Sequence, residues 1–468
     1  MNRLSKKLVS TWAEQGPRFL PFADVATADL PLSRLLRLSL FQVSVGMASV
    51  LLVGTLNRVM IVELRVPASL VAVMISLPLL AAPFRAMIGF KSDTHSSALG
   101  WRRVPYIWKG TMLQFGGLAI MPFALLVVSE GGNRLGGPIW IGWLGAGLAF
   151  LLTGAGLHTV QTVGLALATD LVSEESQPRV VGLMYVMLLV GMIASAIIFG
   201  ALLQNFTDGR LIQVVQGSAV MTIALNILAI WKQEARDPVK TREGREEPSF
   251  KESWDSFIEG AGAIRRLIAV GIGTMAFSMQ DVLLEPYGGQ VLGLSVASTT
   301  RLTATLSLGG LLGFLLASRV LGRGGDPFRM SSFGALVGIP AFSIVILAAP
   351  LQAPVLFFCG TFLIGFGAGL LSHGTLTATM NHAPEKQRGL ALGAWGAVQA
   401  SAAGLAVALG GIIRDIVNGM SARDVFGRSF SGPATGYSLV YSVEIVLLII
   451  TLWSMIPLIR RLPQRVTA

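Results

Sequence analysis

The residues best placed to do chemistry in this chain are ionisable and amide groups set inside long apolar runs. Asn57, Arg58 and Glu63 fall at the end of one run, and Gln280, Asp281 and Glu285 fall in the same end of another. A charge at the centre of a bilayer costs at least ~2.5–3.5 kcal/mol on insertion scales, so such groups mark pairs, pathways or helix ends. Arg58 has the charge to pair with Asp281 or Glu285 and tie the two runs together. The plainer alternative places each group near the headgroups, hydrated. Asp281 and Glu285 also have the makings of a proton relay, although no opposing run of acids faces them. His158 and His373 lie within apolar runs, whereas His95 and His382 fall in polar connections. A buried imidazole is either a metal ligand or, more commonly, a hydrogen-bonded packing residue. Trp395 lies deep in its run. Trp101, Trp108, Trp140, Trp143, Trp231 and Trp453 lie near run ends, where indoles anchor helices at the interface.

Several chemistries are excluded. A single cysteine, Cys359, forms neither an internal disulfide nor a thiolate zinc cluster, and its apolar setting predicts a small buried residue. There is no G-x-x-x-x-G-K-[ST] loop, no H-E-x-x-H pair and no G-x-S-x-G elbow. Gly322-Arg323-Gly324-Gly325 lacks a following lysine and reads as a turn. The chain is therefore expected not to be an enzyme.

The elements that must carry these residues follow from composition. Only 13% of residues are charged and 53% are hydrophobic, with a mean hydropathy of +0.67. A soluble domain carries about 25% charged residues, so most of this surface must meet lipid. Twelve runs of spanning length are predicted at 36–62, 67–90, 104–128, 138–168, 180–204, 210–231, 267–290, 296–320, 329–349, 353–378, 389–413 and 438–459. The net charge of +11 does not point to nucleic acid, because the basic residues sit in short loops and form no aromatic-laced stripe. Arg58, Arg65, Arg134, Arg210, Arg301, Arg414, Arg423 and Arg428 fall on one side, and the other 28 of the 36 Lys and Arg fall on the other. This asymmetry predicts an even helix number with both termini in the cytoplasm. The expected organisation is a partly interfacial tail (1–35), a six-helix bundle (36–231), a charged cytoplasmic linker (232–266), a second six-helix bundle (267–459) and a C-terminal tail (460–468).

The halves echo each other. Ala168-Thr169-Asp170 is followed by Glu174, Glu175 and Arg179, and Ala378-Thr379-Met380 by Glu385 and Arg388. Gly89-x-x-x-Asp93, followed by Arg102 and Arg103, is echoed by Gly322-x-x-x-Asp326, followed by Arg329. Two related bundles explain both echoes. The Gly-x-x-x-Asp loop after the second helix, repeated after the eighth, resembles the signature of the major facilitator superfamily.

A narrower resemblance rests on three segments. They are Phe19-Leu20-Pro21-Phe22-Ala23-Asp24 with the Leu30–Gln42 stretch, Gly54-Thr55-Leu56-Asn57-Arg58-Val59-Met60-Ile61-Val62-Glu63-Leu64, and Tyr106-Ile107-Trp108-Lys109-Gly110-Thr111. They resemble the PucC/LhaA group, a bacteriochlorophyll-delivery family of the superfamily.

The superfamily resemblance implies an all-α membrane protein of twelve helices in two pseudo-symmetric bundles, with helices one, four, seven and ten around a cavity. The narrower one implies an assembly factor for bacterial light-harvesting antenna complexes that resides in the cytoplasmic or chromatophore membrane. It would bind bacteriochlorophyll and hand it to antenna subunits, with the reaction-centre complex and pigment-synthesis enzymes as further partners. Under that implication His158, His373, Asn57 and Trp395 are the pigment-binding candidates. Gly89, Asp93, Arg102, Arg103, Gly322, Asp326 and Arg329 are the expected cytoplasmic gate. The competing reading is a secondary transporter that moves a small hydrophobic or amphipathic solute by alternating access.

Overall fold

The computed structural model describes residues 31–80, 88, 91–92, 101–128, 139–173, 176–234, 263–382, 388–423, 425 and 432–459. The polar tails, most of the inter-half linker, Gly89, Asp93, His95, Glu174, Glu175 and Glu385 lie outside them. The first half contains α1 (Leu32–Glu63), α2 (Ala68–Leu80), α3 (Val104–Val128), α4 (Ile139–Asp170), α5 (Gln177–Leu202) and α6 (Asp208–Ile230). The second contains α7 (Ala263–Gln290), α8 (Val296–Leu321), α9 (Pro327–Ala348), α10 (Pro354–His382), α11 (Arg388–Ser421) and α12 (Ala434–Leu458). Among the described residues eleven of these are long and apolar enough to cross a membrane, α2 is a shorter apolar helix, and no strand occurs.

Helices such as α4, α5 and α10 have no polar face. The most apolar window of α5 has a mean hydropathy of 2.4, yet only 33% of it is buried in the bundle. The remainder is partly or fully exposed, and that much uncovered apolar surface is tolerable only in lipid. The chain is a multi-pass membrane protein.

Packing partners repeat with an offset of six helices. In the first half α1 packs on α5 and α6, α3 on α4 and α6, and α2 on α4. In the second α7 packs on α11 and α12, α9 on α10 and α12, and α8 on α10. The halves meet through α2 against α11 and α5 against α8, again a matched pair. Because lipid supplies no hydrophobic drive between helices, close backbone contact must hold them, and small residues permit it. The α8–α10 seam is the tightest case. Cβ atoms at Gly309 and Gly313 would overlap backbone atoms of Phe362 and Phe366, and Cβ atoms at Gly365 and Gly369 would overlap those of Leu306 and Gly310.

Three features depart from the sequence reading. Helix α11 runs on to Ser421, past its predicted end at 413, because Arg414 and Asp415 find partners inside the protein and need not reach water. Helix α7 starts at Ala263, inside the stretch assigned to the linker. Cys359 is exposed, not buried. On α10 the inward residues are Phe357, Gly360 and Thr361, and an apolar residue between them faces lipid at no cost.

Candidate functional site

The candidate site is where α1 meets a break in α7. After Ser278 the α-helix gives way to a 3₁₀ turn, Met279–Val282, and resumes at Leu284. The cause lies in Pro286, which has no N–H to give the carbonyl four residues back, that of Val282. Asn57 Nδ2 of α1 donates to that freed carbonyl at 3.4 Å. On the other side of the break, the Gln280 N–H donates to Glu444 Oε1 of α12 at 2.9 Å. An interrupted helix in lipid survives only where other groups satisfy its backbone, and here two buried side chains do so.

The carboxyl group of Glu285, on the resumed helix, accepts from Thr303 Oγ1 of α8 at 2.8 Å. Asn57 and Asp281 stand beside it. The hydroxyls of Thr55 and Thr300 meet at 3.4 Å, and Gly54 leaves no room for anything but the Thr303 side chain. Thus α1, α7 and α8 interlock through short polar groups.

Arg58 is not paired as the sequence suggested. Its Nη1 pairs with Glu63 on its own helix, and its Nη2 donates to the Leu294 carbonyl across the halves at 3.2 Å. Asp281 and Glu285 are not its ion-pair partners. The reason is the winding of α1, which is π-helical over Val50–Leu56 and Val59–Glu63. The Leu64 N–H bonds to the Val59 carbonyl at 3.0 Å, the i→i+5 pattern. That wider turn brings residue 63 over residue 58, which a regular α-helix would point away.

The same end of the molecule carries one further cross-half bond and a cluster within the second half. Asp415 Oδ2 of α11 accepts the Ser69 N–H at the start of α2 at 2.7 Å. Arg414 pairs with Asp415, donates to Gln290 and lies 4.7 Å from the centroid of the Tyr437 ring. Tyr287 packs on Phe357, Tyr437 and Tyr441 with centroids 5.2, 5.3 and 5.6 Å away. This end is held shut by polar bonds over an aromatic cluster.

At the opposite, basic end several bonds between described residues tie elements within each half. Arg103 Nε donates to Asp170 Oδ2 at 3.0 Å and its Nη1 to Ser92 Oγ at 2.7 Å. The carboxylate of Glu234 accepts the backbone N–H groups of Arg102, Arg103 and Val104 at 2.7–3.1 Å, capping α3. Glu234→Ala should cost about 1 kcal/mol of stability, the usual worth of an N-terminal cap, read as a lower unfolding midpoint in detergent. In the second half Gly322 ends α8, and Asp326 caps α9 by accepting the N–H groups of Phe328 and Arg329 at 2.8 and 3.0 Å. Of the expected gate residues, Gly322 ends α8, Asp326 caps α9, and Arg103 ties the start of α3 to Asp170 at the end of α4.

The pigment-ligand candidates do not converge. His158 sits on α4. His373 sits on α10 against Phe314, with ring centroids 4.1 Å apart, and its Nδ1 has no hydrogen-bond partner. Asn57 is fully buried and committed to the α7 break. Trp395 is buried with Val270 and Leu376, and its Nε1–H donates to Thr375 Oγ1 at 3.2 Å. Sequence reasoning passed over Glu234, Asp415 and Glu444. Glu444, a lone acid in an apolar run, carried the signal already used for Asp281.

Comparison with known proteins sets this geometry in context. Protein PucC of Rhodovulum sulfidophilum is 66% identical over 420 residues, covering 89% of this chain and 92% of its own. Protein PucC of Cereibacter sphaeroides is 57% identical over 98% of both chains. A Rhodobacter capsulatus protein named bacteriochlorophyll synthase 44.5 kDa chain is 27% identical over 439 residues, 89% of this chain and 93% of its own. Among solved structures, an inward-facing bacterial homologue of the lysosomal transporter Spinster superposes with a TM-score of 0.68 at 15% identity, over 90% of this chain and 95% of that one. That likeness establishes the fold as the major facilitator type. The PUCC protein family model matches residues 55–462, from the π-wound half of α1 to the end of α12, and the chain belongs to that family.

Proposed function

We propose that the chain is a non-enzymatic assembly factor for bacterial light-harvesting antenna complexes. In this reading it binds bacteriochlorophyll within the intracytoplasmic membrane and passes it to nascent antenna subunits, with the reaction-centre complex and pigment-synthesis enzymes as neighbours. The observation that carries the reading is the extent of the PucC relationship. It spans the whole bundle, and the same bundle extends at lower identity to a relative whose name refers to bacteriochlorophyll. The fate of the intramembrane charges agrees with it. Arg58, Glu285, Arg414 and Glu444 hold helices to one another, whereas a carrier of small polar solutes needs fixed charges free to face its cargo.

The fold likeness to transporters favours a second reading, alternating-access export or import of an amphipathic solute. A handover assay separates the two. Pigment-loaded protein is reconstituted in vesicles with antenna polypeptides, and near-infrared absorption is followed. The expected result is a shift of the pigment band toward the antenna-bound position, with no dependence on an ion gradient. Gradient-driven accumulation of a solute without pigment transfer would establish the transporter reading instead.

A further inference from the structure

Seven of the chain's nine tryptophans lie among the described residues, and three of them, Trp101, Trp108 and Trp231, line one groove at the basic end. The groove has a volume of about 560 Å³ and is open along one side. Its apolar wall is completed by Val104, Ile227 and Ile230, and its polar rim is Arg34, Lys232, Gln233 and Glu234. Indoles at helix ends ordinarily act as separate interface anchors, each immersed in headgroups. Trp140 and Trp453 fit that description, lying outside the groove, whereas Trp108 and Trp231, also exposed, share its wall.

The groove differs in being built. The turn that carries Trp231 is pinned from several directions. Arg37 Nη2 donates to the Trp231 carbonyl at 2.9 Å, and Arg34 Nη2 donates to the Gln233 carbonyl at 3.0 Å. Arg34 Nε reaches Gln233 Oε1 at 3.1 Å, and Gln233 Nε2 returns a bond to the Arg34 carbonyl at 3.2 Å. Glu234 is held by the start of α3. Lys232 adopts φ +55°, a left-handed conformation that a non-glycine residue keeps only when its surroundings impose it. An interface anchor needs no such fixing, but a wall that must present a ring face at a set position does.

We infer that this groove is the seat of the pigment that the proposed function requires, a flat conjugated macrocycle stacked among Trp101, Trp108 and Trp231. The inference rests on that functional reading. Three features fit a tetrapyrrole. Indole faces stack on extended π-systems. The volume of about 560 Å³ lies within the range for small-molecule sites, and the open side lets a macrocycle extend beyond it. The cations of Arg34 and Lys232 sit at the polar rim, where carbonyl and ester oxygens at the macrocycle's edge would accept hydrogen bonds. Ile227 in the groove wall and its neighbour Leu228 are exposed apolar residues along which an esterifying hydrocarbon tail would lie in lipid. Among the described residues no histidine lines the groove, and the grip we infer is stacking, not magnesium ligation.

The test is titration of the purified full-length protein in detergent with bacteriochlorophyll a and, in parallel, with magnesium-free bacteriopheophytin a. Quenching of tryptophan fluorescence and pigment retained after gel filtration are read together. Wild type should bind both pigments with affinities within about threefold. Trp108→Ala/Trp231→Ala should weaken both about thirtyfold, the loss of two ring stacks. Trp108→Phe/Trp231→Phe should recover most of the binding, and His158→Ala/His373→Ala should leave it unchanged. Thermal midpoints identify any variant that has merely misfolded, and the phenylalanine pair then carries the test alone through the change in quenching at unchanged retention. If wild type binds and the alanine pair, still folded, binds equally well, the groove assignment is overturned while the functional reading stands. Loss of binding in the histidine pair, or failure to bind bacteriopheophytin, would also overturn it. If wild type takes up neither pigment, the functional reading itself falls.

Discussion

Arg58→Ala is expected to destabilise the protein by about 2 kcal/mol, measured by reversible unfolding in mixed micelles. Arg58 is only 4% exposed and spans two structures at once, Glu63 on its own helix and the Leu294 carbonyl on the connection between α7 and α8. Removing one member of a buried pair costs roughly 3–5 kcal/mol when the other charge stays buried and alone. The side chain of Glu63 is 41% exposed and would be hydrated, which lowers the expected figure toward about 2 kcal/mol. The orphaned Leu294 carbonyl supplies part of the remainder. A double-mutant cycle identifies the partner. Arg58→Ala with Glu63→Gln should couple by about 1 kcal/mol, whereas Arg58→Ala with Asp281→Asn should be additive within about 0.5 kcal/mol. Strong coupling to Asp281 would restore the charge pair that the sequence suggested and contradict the geometry described above.

The second large effect concerns the α8–α10 seam. Gly365→Ala places a methyl group on the carbonyl of Leu306 and close to the Gly310 nitrogen, both backbone atoms of a packed helix. No rotamer change relieves such an overlap, so α8 and α10 must move apart along a contact with no hydrophobic drive to compensate. The expected cost is at least about 3 kcal/mol, the upper end for overpacking, with sharply reduced accumulation of the protein in membranes. Gly116→Ala and Gly217→Ala are the controls. An added Cβ meets nothing within 4 Å at either site, and removing glycine from a helix interior should stabilise each by up to about 1 kcal/mol. Equal behaviour of Gly365→Ala and Gly116→Ala in a thermal-shift series would mean that the seam is not held as described.

These expectations also mark what the sequence could and could not convey. Hydropathy located most of the apolar helices within a few residues, because a bilayer sets a minimum length for each span; the predicted end of α2 at 90 lies outside the described residues. It failed at the end of α11, where it treated Arg414 and Asp415 as a boundary, since a charge in the sequence does not reveal that Gln290, Tyr437 and the Ser69 N–H are waiting for it. The importance of Asn57, Arg58 and Glu285 was legible from the cost of burying them. Their partners were not, because the i→i+5 winding of α1 brings Glu63 onto Arg58 and no composition rule announces a π-turn. The break in α7 had a written cause, Pro286, whose effect reaches back four residues to Val282. Trp101, Trp108 and Trp231 were each readable as interface anchors. Their convergence was not, for it depends on α3 and α6 lying side by side and on the pinned turn at Trp231–Glu234.

The most direct test of the central claim, that this major-facilitator bundle carries pigment, is the composition of the protein as isolated. The full-length chain is purified in mild detergent from a bacteriochlorophyll-producing host, and bound pigment is quantified by absorption after extraction. The account predicts at least one bacteriochlorophyll per polypeptide that persists through gel filtration. A monodisperse, folded and colourless protein from that same host would contradict it.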